Sequence, residues 1–436
     1  MNNLTPSALN RSAALAAGAL LMFTTTGSAV DLTWILSGDG NWNTTDLNWN
    51  NGSSDVAWTN GNAAIFTGYT ELYNIDLESD ITATSILRTS ADGTGTVRLN
   101  DFSIDVPIIT TTGNGSIDMY SVITGDHDLT YTGDSTAYTG RLNLKTSATY
   151  TGDTYLQNRA YLMLDGESNA LPTTTTVNMT SNVTWRFGKT GLTQEIAGLS
   201  GSGLIRGSTS GNNTLTINTK SGVSTSYSGT IRDQFNIVID GAGTQTLGSN
   251  LIYTGSTTVS GGTLVLSTSP GSTSSVLVNG GDLQSSTTNI NLGLGAVSMS
   301  SGSITPNGIG SAGTFTVAAD QNFTVTGGTM NLDVGTDLDQ ILGSGSGVYS
   351  IDGASIALSL GAGFDYGDTY ELLSGFSSGS YSNVSITGYD TANYVATLDS
   401  SSGSLILGFD SIPEPSSIAL IFGGLMGVLV CLKRRK

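Results

Sequence analysis

Cysteine is almost missing from this 436-residue chain: the single thiol, Cys431, stands in an apolar run near the C-terminus. The body between the two ends therefore has no disulfide, and its stability must come from the geometry of the fold and not from cross-links. Histidine is as scarce, with His127 alone. Positive charge is short too. Of 15 Lys+Arg, Arg11 and the last four residues belong to the ends, leaving 10; of 34 Asp+Glu only Glu414 lies in the tail, leaving 33, so the body carries −23. Such a surface disfavours nucleic acid and anionic lipid as partners and suits a soluble surface protein. Helix formers are few, and no stretch after residue 30 shows a 3.6-residue period until the tail.

What is present in quantity is glycine, 58 residues of it, with abundant Thr and Ser. Thr suits strands and Gly suits turns. The order of these residues repeats. Tyr150-Thr151-Gly152-Asp153-Thr154 returns as Tyr253-Thr254-Gly255-Ser256-Thr257, each followed by a turn and a short strand, and fragments occur at Tyr131, Tyr138 and Tyr227. A second phrase, strand–glycine turn–strand, places Leu264, Leu283, Ile304 and Met330 at offsets of 19, 21 and 26. A coil of about 20 residues with short alternating strands is the unit of a β-solenoid, in which each rung buries its inward side chains on its neighbours. At about 4.8 Å per rung the body would form a rod of roughly 90 Å. Leu264 is placed inward and Thr257 on an outward-leaning position. A row of β-sandwiches is the rival, suited by the 103-residue offset between Tyr150 and Tyr253; recurrence at rung spacing favours the solenoid.

The run Gln194-Glu195-Ile196-Ala197-Gly198-Leu199-Ser200-Gly201, followed by Thr214-Leu215-Thr216-Ile217, Tyr227-Ser228-Gly229, Asp240-Gly241-Ala242-Gly243-Thr244 and Tyr253-Thr254-Gly255, resembles the autotransporter-associated β-strand repeat. The likeness covers about residues 190–267 closely and 120–200 more loosely. It implies a right-handed parallel β-helix; no outer-membrane barrel follows it, so the rod is implied and the autotransporter export route is not. Residues 30–70 hold Trp34, Trp42, Trp49 and Trp58 among Asn, Gly and Asp. They read as an N-terminal cap over the exposed end of the solenoid, with a sugar-stacking platform as the functional rival. Residues 71–330 are the repeats, and 331–410 read as terminal rungs or a small β-domain.

Parallel β-helices also include polysaccharide lyases and hydrolases, whose sites need clustered acids beside Lys or Arg. The ten body cations look scattered along the sequence. His127, between Asp126 and Asp128, reads as a solvated loop residue before it reads as a base. Asp333, Asp337 and Asp339 have calcium-like chemistry, but the spacing matches no calcium loop and a solvated acidic loop is preferred. No catalytic residue, metal site or cofactor is assigned.

The two ends carry addresses. Residues 13–23 are apolar, and Gly27-Ser28-Ala29 suits signal-peptidase cleavage after Ala29, making residues 1–29 a signal peptide. Residues 411–436 hold Pro413-Glu414-Pro415, an apolar run over 418–432, and the basic stop Lys433, Arg434, Arg435 and Lys436. The prolines impose an extended segment, the run is about one marginal membrane span, and the basic end stays cytoplasmic. This order resembles the PEP-CTERM sorting signal of Gram-negative bacteria. The resemblance implies a transmembrane helix that holds the chain until an exosortase-type membrane protease cuts near the motif and delivers it to the surface or matrix. It also implies a biofilm, adhesion or exopolysaccharide-associated role, with extracellular polysaccharide as partner. The first functional reading is therefore an exported, non-enzymatic surface β-helix; the alternative is a polysaccharide lyase or hydrolase on the same fold. Replacing Pro413, Glu414 and Pro415 with alanine leaves the apolar run and charges intact. It is expected to accumulate an unprocessed membrane form in a host with the sorting enzyme; mass spectrometry finding residues 433–436 still attached to most wild-type molecules at the surface would contradict the sorting reading.

Overall fold

The computed structural model describes residues 28–68, 70–90, 95–133 and 140–413. Residues 1–27, the Tyr138 copy of the repeat, Glu414, Pro415, the 418–432 run and the basic stop lie outside them. The described chain is all-β, without a helix, and winds into a solenoid of about 13 turns. Among the described residues no helix is long and apolar enough to cross a membrane.

Three strand columns form three faces. On face three, Val97, Ile117, Leu142, Leu162, Trp185, Ile205, Ile231 and Leu251 are successive parallel partners, although their sequence offsets are unequal. On face one, Leu264, Leu283, Ile304, Met330, Ile356 and Ile386 follow each other in register. The four residues that carry the sequence repeat are thus direct rung-to-rung neighbours. Face two stacks Leu215, Ile237, Thr257, Val276, Val297, Phe323 and Tyr349. Faces one and two join where long strands turn the corner: Val276–Ser285 pairs with Thr257–Val259 by its first half and Thr263–Leu266 by its second. Face three lapses between Asn250–Tyr253 and Asn289–Asn291, where Pro270 has no N–H to give a ladder. About 13 turns at about 4.8 Å make roughly 60 Å of rod, shorter than the sequence spacing implies. Many rungs are longer than the sequence repeat suggests, because extra residues are absorbed at corners outside the ladder, as in the long step from Met330 to Ile356.

The tyrosine phrase now has a cause. Tyr131, Tyr150, Tyr227 and Tyr253 are buried to 1% exposure or less, and a buried phenol needs a hydrogen-bond partner. Tyr253 Oη meets Thr257 Oγ1 at 2.6 Å and Tyr150 Oη meets Thr154 Oγ1 at 2.5 Å, in each case one short step along the same phrase. Thr154 and Thr257 bond onward to Thr175 and Thr273 in the next rung, at 2.8 and 3.2 Å. Burial pushes the Tyr253 phenol up to about 12, its Thr partners pulling the other way, and raises Tyr131, Tyr150 and Tyr227 as well. The glycine of the phrase marks close approach of the previous rung: a Cβ on Gly255 would stand 1.9 Å from the Phe235 carbonyl oxygen. Thr257 is consequently inward and 1% exposed, not outward as its sequence position suggests; its hydroxyl has two buried partners, which makes an inward threonine tolerable.

Where the ladder falters, side-chain amides complete it. Ser224–Tyr227 pairs with Gly198–Gly201 only at Gly201↔Tyr227. Gln245, from the following rung, reaches across: its Oε1 accepts from Leu199 N at 3.1 Å and its Nε2 donates to Leu199 O at 3.0 Å. Gln194 does the same for Leu171, beside Pro172. On the surface, Asp and Asn bridge rungs by accepting a backbone N–H from the next one, as Asp128 does from Asp153 at 2.8 Å and Asp153 from Thr176 at 2.9 Å.

Antiparallel pairing occurs, among the described residues, only at the two ends. Asp31–Trp34, Trp49–Asn50 and Asp55–Val56 form one set; Tyr370–Ser374, Tyr394–Asp399 and Leu405–Ser411 form the other. Between them the rungs of residues 331–387 continue the columns above. The four tryptophans of the first end pack on each other, with Trp42 4.8 Å from both Trp49 and Trp58, and Trp34 5.1 Å from Trp49. None is more than 3% exposed, so no ring offers a face to a sugar and the stacking-platform reading is excluded for this cluster.

An inward carboxylate without a partner is among the costliest substitutions. Leu264→Asp should lower stability by about 4 kcal/mol or more, and Thr257→Asp should also be severe. Thr258→Asp, on the outward side of the same strand, should be mild. Urea midpoints checked by circular dichroism that fail to separate Thr257 from Thr258 would contradict the assigned faces.

Candidate functional site

The body cations are not scattered in space. Arg98, Arg186, Arg206 and Arg232 lie in strands of face three, and Arg141 and Lys145 flank a fifth strand of it, Leu142–Leu144. Alternation along a strand turns every second residue outward, and the parallel register then stacks the outward ones. Met163, Arg186, Arg206, Arg232 and Ile252 are successive partners, so three guanidinium groups occupy adjacent rungs. The sequence hides this because the step from Arg206 to Arg232 is longer than that from Arg186 to Arg206, the difference being taken up in the corner turns.

Like charges stacked at rung spacing repel, and one acid answers two of them. Asp233 Oδ2 lies 3.5 Å from Arg206 Nε and 4.0 Å from Arg232 Nε. Asp233 sits at φ 71, a left-handed conformation that Asp tolerates and that ends the strand. Arg186 donates to Tyr161 Oη at 3.4 Å. The Nε atoms of all three arginines are enclosed and make no hydrogen bond among the described residues, while the side chains of Arg206 and Arg232 remain 28% and 39% exposed. The guanidinium groups thus keep donors that the described residues do not use. Elsewhere on the face two cations have an acid each: Arg98 with Asp118 at 3.7 Å, and Lys145 with Asp165.

Beside the arginine column runs a groove of about 530 Å³. Its floor is the next column, Tyr161, Thr184, Leu204 and Thr230, again successive partners. Its far wall is made of corner turns bearing Ser181, Asn182, Ser202, Ser228 and Ser249. A second hollow of about 590 Å³ shares Ser181 and Asn182 and adds Asn158 and Arg159. Asn158, Arg159 and Asn182 all have positive φ, at 50, 63 and 65; the corner holds an arginine in a conformation more usual for Asn, so the turn and not residue preference sets the direction of that side chain. Neither lining contains a carboxylate.

The residues singled out in the sequence lie elsewhere. His127 is a half-buried loop residue with both ring nitrogens partnered. Its Nε2 meets Asp105 Oδ1 at 2.8 Å and its Nδ1 meets the Asp128 carbonyl oxygen at 2.9 Å. The flanking Asp126 and Asp128 accept from the next rung, Thr151 at 2.6 Å and Asp153 N at 2.8 Å, so the whole corner is spent on joining rungs. The acidic loop is not solvated. Asp333 and Asp339 are 3% and 1% exposed while Asp337 points to solvent. Asp333 Oδ2 accepts from Gly310 N and Ser311 N at 2.5 and 2.8 Å, and Asp339 accepts from Gly313 N at 2.7 Å and Asp333 N at 3.0 Å. The pair pins the 306–313 turn. Among the described residues no group of three or more His, Cys, Asp or Glu could hold a metal. Ala29 is exposed one residue before the first ladder bond among the described residues, which Ala63 N donates to the Val30 carbonyl, while Val30 N donates to Asn62 Oδ1. Pro413 is exposed one residue after the last, from Ile412 N to Asn393 O. No family model and no curated protein sequence matches the chain.

Burial pushes the Asp339 carboxyl from its ordinary 3.8 up to about 7, against the hydrogen bonds from Asp333 and Gly313 N–H groups, with the Asp333 charge adding to the rise. A value raised by folding means that the protonated form favours the fold. This contribution is complete below about pH 4 and is lost as pH rises through about 7. Surface acids with lowered values, such as Asp320 with its Ser346 hydrogen bonds, act in the opposite sense and below pH 4. The wild-type melting midpoint should therefore fall between pH 4 and 7 by more than that of Asp339→Asn. Parallel profiles in a thermal-shift series would contradict the assignment.

Proposed function

We propose that this chain is an exported, non-enzymatic cell-surface or extracellular-matrix protein whose β-solenoid presents the face-three groove to extracellular polysaccharide, in adhesion or biofilm formation. The observation that carries the reading is the chemistry of the groove: hydroxyls, one amide, one aromatic ring and Arg206 from the arginine column beside it, with no carboxylate in the lining. Sugars are bound through such groups, whereas glycoside hydrolysis needs two acids flanking the bond. The proposal includes a right-handed coil, closed at its start by the tryptophan-rich segment 30–70. Antiparallel pairing there supports the cap, since it ends the parallel stack over an otherwise exposed core.

The ends fit this reading. Signal peptidase acting after Ala29 and an exosortase-type protease acting near Pro413, Glu414 and Pro415 would both cut outside the ladder, leaving every rung whole. The apolar run of residues 418–432 and the basic stop would hold the chain in the membrane until then. The likeness of the tail to PEP-CTERM signals and of the repeats to autotransporter-associated strands supports export and display. A second reading, a polysaccharide lyase or hydrolase, draws on Asp233 between Arg206 and Arg232.

Full-length protein in detergent, applied to a glycan array and then incubated with the glycans it retains, is expected to bind polysaccharide without shortening it. New reducing or unsaturated ends would favour the second reading, and no retention of any glycan would overturn the groove as the functional surface.

A further inference from the structure

We infer that the column Arg186, Arg206 and Arg232 is a binding site for a carboxylate-bearing polysaccharide laid along the rod axis. The inference rests on the glycan-binding reading and narrows it to one class of ligand.

Charge economy is the first argument. The body has few cations, and none between Arg232 and the C-terminal stop, yet three of them are stacked in register. Like charges on adjacent rungs repel, and more strongly near a protein surface than in bulk water. Among the described residues only Asp233 is within ion-pair reach of the column, and it is shared between two arginines. Arg98 and Lys145 on the same face each have an acid of their own. The column therefore retains positive potential, and an adjoining groove with low-dielectric walls focuses it.

Geometry is the second. A guanidinium matches a carboxylate with two parallel N–H donors. Here the Nε of each arginine is enclosed, so the terminal nitrogens are the available face, carried on strands about 4.8 Å apart. In an extended two-fold uronan the carboxylates alternate sides, so those on one side recur at every second sugar, about two rungs, and one side of the chain can meet Arg186 and Arg232 together. The parallel column of Tyr161, Thr184, Leu204 and Thr230 lies where the ring hydroxyls and apolar ring faces of such a chain would rest.

A nucleic acid is the other polymer of negative charge. Single strands are held by rows of aromatic platforms, and this groove has one aromatic residue, Tyr161. Duplexes are far more densely charged than a polyuronate, and the strongly acidic remainder of the body opposes them.

The test is titration of the full-length protein in detergent with alginate, with carboxyl-reduced alginate, with dextran and with a thymidine oligonucleotide. Alginate should bind, with affinity falling as salt rises, and the carboxyl-reduced polymer should bind at least about tenfold more weakly. Arg206→Gln should weaken alginate binding about tenfold, and the triple variant Arg186→Gln, Arg206→Gln, Arg232→Gln should abolish it. Arg98→Gln should leave it unchanged. Triple lysine replacement retains the charge but loses the paired donors, and should bind less tightly than wild type if the fork is used; unchanged far-UV spectra exclude misfolding as the cause. Equal binding of alginate and its reduced form, or alginate binding that survives the triple glutamine variant, would overturn the carboxylate site while leaving a neutral-glycan groove standing. Binding to the oligonucleotide alone would overturn both this site and the polysaccharide reading.

Discussion

Rung-to-rung backbone hydrogen bonding in parallel register is the constraint on which everything else depends. Once one strand pairs with the strand a turn later, the spacing between rungs is set, and with it the identity of every side-chain neighbour. The consequence is columns. Val97 to Leu251 on face three and Leu264 to Ile386 on face one are single files of apolar groups, each buried by the one above and the one below. No rung has a core of its own, which is why the stack must be long and why both ends must be closed by something other than another parallel strand.

The same constraint explains the polar interior. A column that must accept Thr257 or Gln245 satisfies them from the adjacent rung, through Tyr253 and Thr273 in one case and Leu199 in the other. Hydrogen-bonded inward polar groups cost little, and they forbid slippage by a residue, since a shifted register would leave each one unpaired. In a chain without body disulfides these ladders, the Asp and Asn bridges at the corners, and the Asp333–Asp339 pair under the 306–313 turn serve to fix which residue faces which.

Columns also concentrate charge that looks dispersed in the composition. Ten cations against 33 acids do not suggest a basic site. Placed outward on face three at equivalent strand positions, three of them add into one stripe, and the column beside it becomes the floor of a groove. The faces of the rod differ in chemistry because outward positions, unlike inward ones, carry no packing constraint and are free to take on a ligand's pattern.

Much of this architecture was legible in the chain. Leu264, Leu283, Ile304 and Met330 could be read as stacked because glycine turns recur beside them, and Tyr150 and Tyr253 as equivalent because a buried phenol needs the same threonine and the same close-approaching glycine each time. Thr257 could not be oriented from its type, since threonine suits either side of a strand and only its partners reveal which. Asp333 and Asp339 looked like solvated acids because burial of a carboxylate depends on N–H groups supplied by Gly310, Ser311 and Gly313, in a turn belonging to the previous rung. The arginine column was invisible for a related reason: corners lie outside the ladder and vary in length, so the unequal spacings of Arg186, Arg206 and Arg232 carry no common phase. Local chemistry alone determined that the chain is built of short strands and turns and that its inward positions repeat. Which outward residues meet across rungs, and therefore where the body concentrates positive charge, was decided only when the hydrogen-bond register closed.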